Sequence, residues 1–98
     1  DKIGLDEDDY RELIELFIET GKADYDLLKS AYAAGDNEQV ARRAHTISGA
    51  SGNLGLMNVH EVAKRIEHFA SGNDLDAANA DIETLPGLFA EVAKYAQN

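Results

Sequence analysis

The sequence predicts an all-α protein, an antiparallel up-and-down bundle of four helices. Three observations carry this prediction. Apolar residues recur at three-and-four spacing in successive segments, helix stop and start residues punctuate the chain between them, and no segment shows sustained period-two alternation. The connections are a few residues each, and short loops make consecutive helices antiparallel. Extra short helical pieces are expected where Gly21 and Pro86 interrupt the pattern.

From Asp8 to Ala34, the residues Tyr10, Leu13, Ile14 and Phe17, then Leu28, Ala31 and Tyr32, keep the spacing of one buried helical face. Gly21 sits near the middle, where it bends the helix or splits it. Gly35 supplies a C-terminal stop, and Asp36 with Gln39 three residues on makes a capping-box start. The second helix carries Val40, Ala44, Ile47, Ser51 and Leu54 inward and ends near Asn53. After the Gly55 break, Asn58 with Glu61 forms another capping box, and Val59, Val62, Ala63, Ile66, Phe69 and Ala70 share one face of a third helix. Ser71-Gly72-Asn73-Asp74 repeats the stop-and-restart chemistry, and Ala78, Ile82, Leu85, Phe89, Val92 and Ala96 form the stripe of a fourth. Pro86 kinks or divides that helix, because it lacks an N–H and its ring crowds the preceding turn.

The 98 residues suffice for one domain, residues 1–98, built on one core. The absence of cysteine excludes disulfides, thiolate zinc sites and thiol nucleophiles, and it fits a reducing compartment, so the expected location is the cytoplasm. No apolar run approaches the roughly 18 residues of a membrane span. The acidic stretch from Asp1 to Asp9 is the opposite of a basic signal-peptide head. A start at Asp1 fits a domain cut from a longer chain or a processed one. Nine basic against nineteen acidic residues give a formal charge of −10, which repels nucleic-acid phosphates and anionic lipid. The expected partner is another protein, although much of this charge serves solubility alone.

Within the second helix, His45-Thr46-Ile47-Ser48-Gly49-Ala50-Ser51-Gly52-Asn53-Leu54-Gly55 sets one histidine beside a run of almost only small residues. A glycine inside a helix costs about 0.8 to 1 kcal/mol relative to alanine, so Gly49 and Gly52 ask for a compensating reason. At about 100° per residue, His45 lies well away from the centre of its helix's apolar stripe and faces solvent. Arg42, Ser48, Gly49 and Gly52 fall with it inside an arc of about 120°. An exposed neutral imidazole is a nucleophile that accepts a phosphoryl group reversibly, and free histidine titrates near ~6.5, which leaves a neutral fraction at neutral pH. A partner bringing an activated phosphoryl group must place its backbone close to the ring, and Gly49 and Gly52 provide that clearance. The alternative is a surface histidine without function beside glycines that permit tight helix packing.

The longer string resembles the signature of histidine-containing phosphotransfer domains: a histidine, an aliphatic residue two on, a glycine four on, then small residues ending in Asn-Leu-Gly. Here these are His45, Ile47, Gly49, Ala50, Ser51, Asn53, Leu54 and Gly55. The Ala-Gly-Asp turn before the helix and the helix-turn-helix after it are also similar to the family, so the resemblance covers almost the whole chain. It implies a four-helix bundle whose exposed histidine takes a phosphoryl group from a receiver-domain aspartate and passes it to another receiver's aspartate. The chain is then a phosphohistidine carrier rather than a complete enzyme. It binds no cofactor, and the catalytic aspartates and the magnesium belong to the partner. The partners implied are response-regulator receiver domains and a hybrid sensor histidine kinase, and the expected state is a monomer. A related domain in chemotaxis kinases is phosphorylated by a kinase module instead. A helical module that binds partners without chemistry is the remaining alternative.

Many members of that family carry lysine three residues after the histidine, beside the phosphoryl group, where this chain has Ser48. The missing charge is expected from Arg42, favoured by its facing, or from Lys64, favoured by its position in the family, with Arg65 nearby. The Ser48 hydroxyl can add one uncharged hydrogen bond. Glu67 follows the inward-facing Ile66, at the core margin of the third helix and within reach of the His45 ring. The resemblance implies a polar residue at about this position that holds the second ring nitrogen and fixes the tautomer. Otherwise Glu67 is solvated and pairs with Lys64 or Arg65. His60 and His68 are eight apart, not the three or four that lets two imidazoles grip one metal, and both read as surface residues. No glycine-rich phosphate loop follows a strand, and Ser48 or Ser51 with His45 lacks the orienting carboxylate and oxyanion site of a hydrolase. The docking surface is expected around His45 on the second and third helices, where Leu56 or Met57 adds apolar atoms or simply closes the end of the bundle.

Overall fold

A computed structural model describes residues 7–97, with side chains over 9–95, as four helices: α1 (Glu7–Ala33), α2 (Asn37–Asn53), α3 (Met57–Ser71) and α4 (Leu75–Gln97). The acidic run before Glu7 and the inward placement of Ala96 lie outside the described residues and side chains. All three connections end a helix with the same pair of backbone hydrogen bonds. Asp36 N donates to Ala31 O and Gly35 N to Tyr32 O; Leu56 N donates to Ser51 O and Gly55 N to Gly52 O; Asp74 N donates to Phe69 O and Asn73 N to Ala70 O. This closure needs a left-handed residue at its centre, supplied by Gly35 (φ +72°), Gly55 (φ +77°) and Asn73 (φ +61°). Asp36 and Asp74 then serve twice, since each Oδ1 accepts a backbone N–H of the next helix, from Gln39 and Ala77, both at 3.2 Å.

The capping box expected at Asn58 and Glu61 does not form. Leu56 is the N-cap of α3, without a side-chain cap, because the turn at Gly55 leads straight into the helix and Asn58 already lies in its first turn. The breaks expected at Gly21 and Pro86 are also absent: α1 and α4 each run through as one helix. At Gly21 an added Cβ would lie 3.2 Å from the Phe89 ring. Phe89 in turn stands edge-on to Phe17 and Tyr25, at centroid distances of 5.8 and 6.3 Å. Gly21 therefore answers a packing need across α1 and α4 rather than marking a break.

The helices pack around a closed square, α1 on α2, α2 on α3, α3 on α4 and α4 on α1, with α2 and α3 most extensively in contact. Cross-contacts show each neighbour running antiparallel. The Tyr10 hydroxyl donates to Leu54 O at 2.6 Å, whereas α1 meets the start of α2 at its other end, where Asp36 N donates to Ala31 O. Ile14, Leu28, Ile47, Ile66, Ile82 and Leu85 are the largest apolar side chains fully buried between the four helices. Each contributes about 1.5 to 3 kcal/mol relative to exposure. Leu13 does not join them and is 38% exposed. The inward stripe of α1 is Ile14, Phe17, Gly21 and Leu28. Leu13 lies about 100° from Ile14, on a flank shared with Leu16 and Thr20.

Candidate functional site

His45 lies on the edge of α2 that faces α3, with Ala44 and Ile47 buried beneath it and its own side chain 75% exposed. Across the seam Glu67 follows the buried Ile66, and its Oε2 is 3.0 Å from His45 Nδ1. The Glu67 side chain is 30% exposed, so the pair is partly shielded on one side and open on the other. An ionised carboxylate can only accept, so in the neutral ring this contact puts the proton on Nδ1 and leaves the Nε2 lone pair free.

The two glycines after His45 turn out to differ. An added Cβ at Gly49 would meet nothing within 4 Å, so the surface beside the ring is clear there. At Gly52 it would lie 2.9 Å from His60 Nδ1. The missing side chain at Gly52 makes room for a residue of the same chain, not for an incoming partner, which corrects the expectation for this position.

Ser48 is corrected too. It is 4% exposed rather than on the open arc. It sits about 60° round the helix from His45, on the side that His60 of α3 covers. His60 Nδ1 lies 2.8 Å from the Ser48 carbonyl oxygen and 3.3 Å from its Oγ. A carbonyl only accepts, so the His60 Nδ1–H donates. His60 is therefore half-buried, whereas His68 stays exposed, edge-on to Phe69. The signal that could have revealed this cluster is the antiparallel register, which sets small residues at 48 and 52 opposite a large one at 60.

The three candidate cations also separate. Arg42 is exposed, with Nη2 3.7 Å from Glu38 Oε2 of its own helix. Arg65 faces α4, where Nε and Nη2 donate to the two carboxylate oxygens of Asp81 at 3.2 and 3.0 Å. That bidentate bond holds its guanidinium even more firmly protonated than usual. Lys64 is exposed and makes no hydrogen bond or ion pair among the described residues.

Two of the shallow surface depressions on the bundle bear on the docking surface. Half-buried Leu56 and half-exposed Met57 line one of about 330 Å³ with Leu88 and Val92, away from His45. The other, about 240 Å³, lies between α1 and α2 and is lined by Leu13, Leu16, Ala50 and Asn53 among others. Leu16 there is 55% exposed. Sequence reasoning missed this second surface, because Leu13 was assigned to the core and Leu16 to no role. Among the described residues no group of three or more His, Asp or Glu is placed to hold a metal. No described helix is long and apolar enough to cross a membrane.

The fold and this face define a class: an antiparallel helical bundle that presents an exposed imidazole, held from one side by a carboxylate, on the open edge of one helix. The family model of the Hpt domain matches residues 12–95, nearly the whole chain, and the protein belongs to that family. Its role is thereby phosphotransfer in two-component systems, as a phosphocarrier module that interacts with response-regulator and kinase components. Neither the curated proteins nor the solved structures contain a match to the chain.

Proposed function

We propose that the protein is a phosphorelay intermediate: His45 takes a phosphoryl group from the aspartyl phosphate of one receiver domain and passes it to the aspartate of another. The observation that carries this reading is the 3.0 Å contact between Nδ1 of the exposed His45 and Glu67 Oε2. With Nδ1 protonated, Nε2 is the nucleophile. Its lone pair forms the N–P bond as the P–O bond to the receiver's carboxylate breaks and the carboxylate leaves; the same step run backwards loads the next receiver. While phosphorus is on Nε2 and Nδ1 keeps its proton the ring is cationic, and Glu67 opposes that charge through the Nδ1–H bond. This chain supplies the nucleophile and no cofactor. The receiver supplies its acidic residues and magnesium.

The receiver docks over the open edge of α2. Gly49 leaves room for its backbone beside the ring, and the exposed Leu13 and Leu16 continue this face with apolar area next to Ala50 and Asn53. In this reading residues 1–98 act as one domain and as a monomer in the cytoplasm; the pairing of His45 with Glu67 inside one chain and a sequence without cysteine support it. Incubation with a phosphorylated receiver is expected to leave acid-labile, base-stable label on the chain, and His45→Gln to abolish it without loss of helicity. Label retained in His45→Gln, or no label from any receiver, overturns the reading.

A further inference from the structure

Two contacts set the seam between α2 and α3: His45 to Glu67 at 3.0 Å and Ser48 to His60 at 2.8 Å. Between His60 and Glu67, the residues on the α2-facing edge of α3 are Ala63, fully buried, and Lys64, exposed above it. Lys64 precedes Glu67 by one turn, so its flexible stem starts beside the His45–Glu67 pair. It has no hydrogen-bond or ion-pair partner among the described residues, whereas Arg42 is turned back to Glu38 and Arg65 is held by Asp81 on α4.

The position one turn after His45 on α2 is closed to a cation. Its occupant, Ser48, is 4% exposed and lies against the His60 ring, which fits only because position 52 has no Cβ. Ser48, Gly52 and His60 are matched in size, and a long side chain at 48 requires His60 to leave. The Nδ1–H of His60 is spent on the Ser48 carbonyl in either protonation state.

We propose that Lys64 is the cation that neutralises a phosphoryl group on His45, and that the Ser48–His60 pair is what moves this task from α2 to α3. The proposal rests on the phosphoacceptor reading of His45. A phosphoryl group on Nε2 adds negative charge close to Glu67, and the ammonium of Lys64 offsets both.

Phosphoramidate, a small phosphoryl donor, tests this without any docking surface. Nε2 forms the N–P bond as the bond from phosphorus to nitrogen of the donor breaks and ammonia leaves, and phosphorus NMR follows the incorporation. Lys64→Gln is expected to slow incorporation about two- to fivefold at low salt and to flatten its salt dependence. Lys29→Gln, which removes the same charge on the side where Lys29 faces Glu83 of α4, should change neither. An unchanged rate and salt dependence in Lys64→Gln overturns the assignment, and so does the same loss appearing in Arg42→Gln instead. In the Lys64→Gln background, Ser48→Lys combined with His60→Ala should restore the rate, and Ser48→Lys alone should not. Unfolding of the Ser48→Lys variant that His60→Ala repairs supports the same coupling, while full rescue with His60 in place overturns it. Absence of label in the unmodified chain is a different result, which removes the phosphoacceptor reading and the proposal with it.

Discussion

The 3.0 Å contact between His45 Nδ1 and Glu67 Oε2 decides which ring nitrogen is free. Removing the carboxylate in Glu67→Ala should release the tautomer. Nitrogen NMR should then show a mixture of the two forms, and transfer from a phosphorylated receiver should slow by about three- to tenfold. Glu67→Gln keeps an acceptor oxygen and should retain most of the rate, and Glu67→Ala with both readouts unchanged would remove Glu67 from the mechanism. The two glycines make a second test, because they should respond with opposite signs. Gly49→Ala meets open space and gains helix propensity of about 0.8 to 1 kcal/mol. Gly52→Ala drives a methyl into the His60 ring and should lose about 1 to 3 kcal/mol, a loss that His60→Ala relieves. Thermal melts of Gly49→Ala, Gly52→Ala, His60→Ala and the double variant Gly52→Ala/His60→Ala measure this, and equal shifts at both glycines would show that His60 does not occupy the Gly52 notch. Phasing along one helix could set both glycines near His45, but it could not say that one faces a partner and the other a neighbouring helix.

At the scale of the elements, the boundaries were legible wherever the chemistry is local. Asp36 and Asp74 cap with their own side chains, and Gly35 and Gly55 adopt the left-handed conformation their residue type permits. The start of α3 was misplaced because its cap is a backbone trajectory set by Gly55, with no side chain to announce it. Gly21 illustrates the opposite problem, a local weakness explained by a distant ring. Alanine there should favour the isolated helix by about 1 kcal/mol. In the folded protein it presses on Phe89, which is 2% exposed and already stands edge-on to Phe17 and Tyr25. Gly21→Ala is therefore expected to destabilise by about 1 to 3 kcal/mol in chemical denaturation, and a stabilised variant would mean that the α1–α4 contact is slack.

For the whole molecule, one residue type serves two purposes according to where the bundle places it. Leu85 is fully buried and Leu16 is 55% exposed. Leu85→Ala should cost about 2 to 5 kcal/mol of stability. Leu16→Ala should change stability by less than about 0.5 kcal/mol while weakening transfer from a receiver. A Leu16→Ala variant that transfers at the full rate would take α1 out of the docking face. The sequence by itself determined the four-helix architecture, the exposure of His45 and most of the core, because helical periodicity, turn residues and one unusual string of small residues are all properties of neighbours along the chain. Only the tertiary structure decided that Glu67 holds the histidine, that Ser48 and Gly52 belong to His60, that Arg65 is committed to Asp81 and Lys64 is not, and that Leu13 and Leu16 lie open. Each of these depends on the rotation and register of one helix against another, which packing of all four sets at once and no single helix encodes.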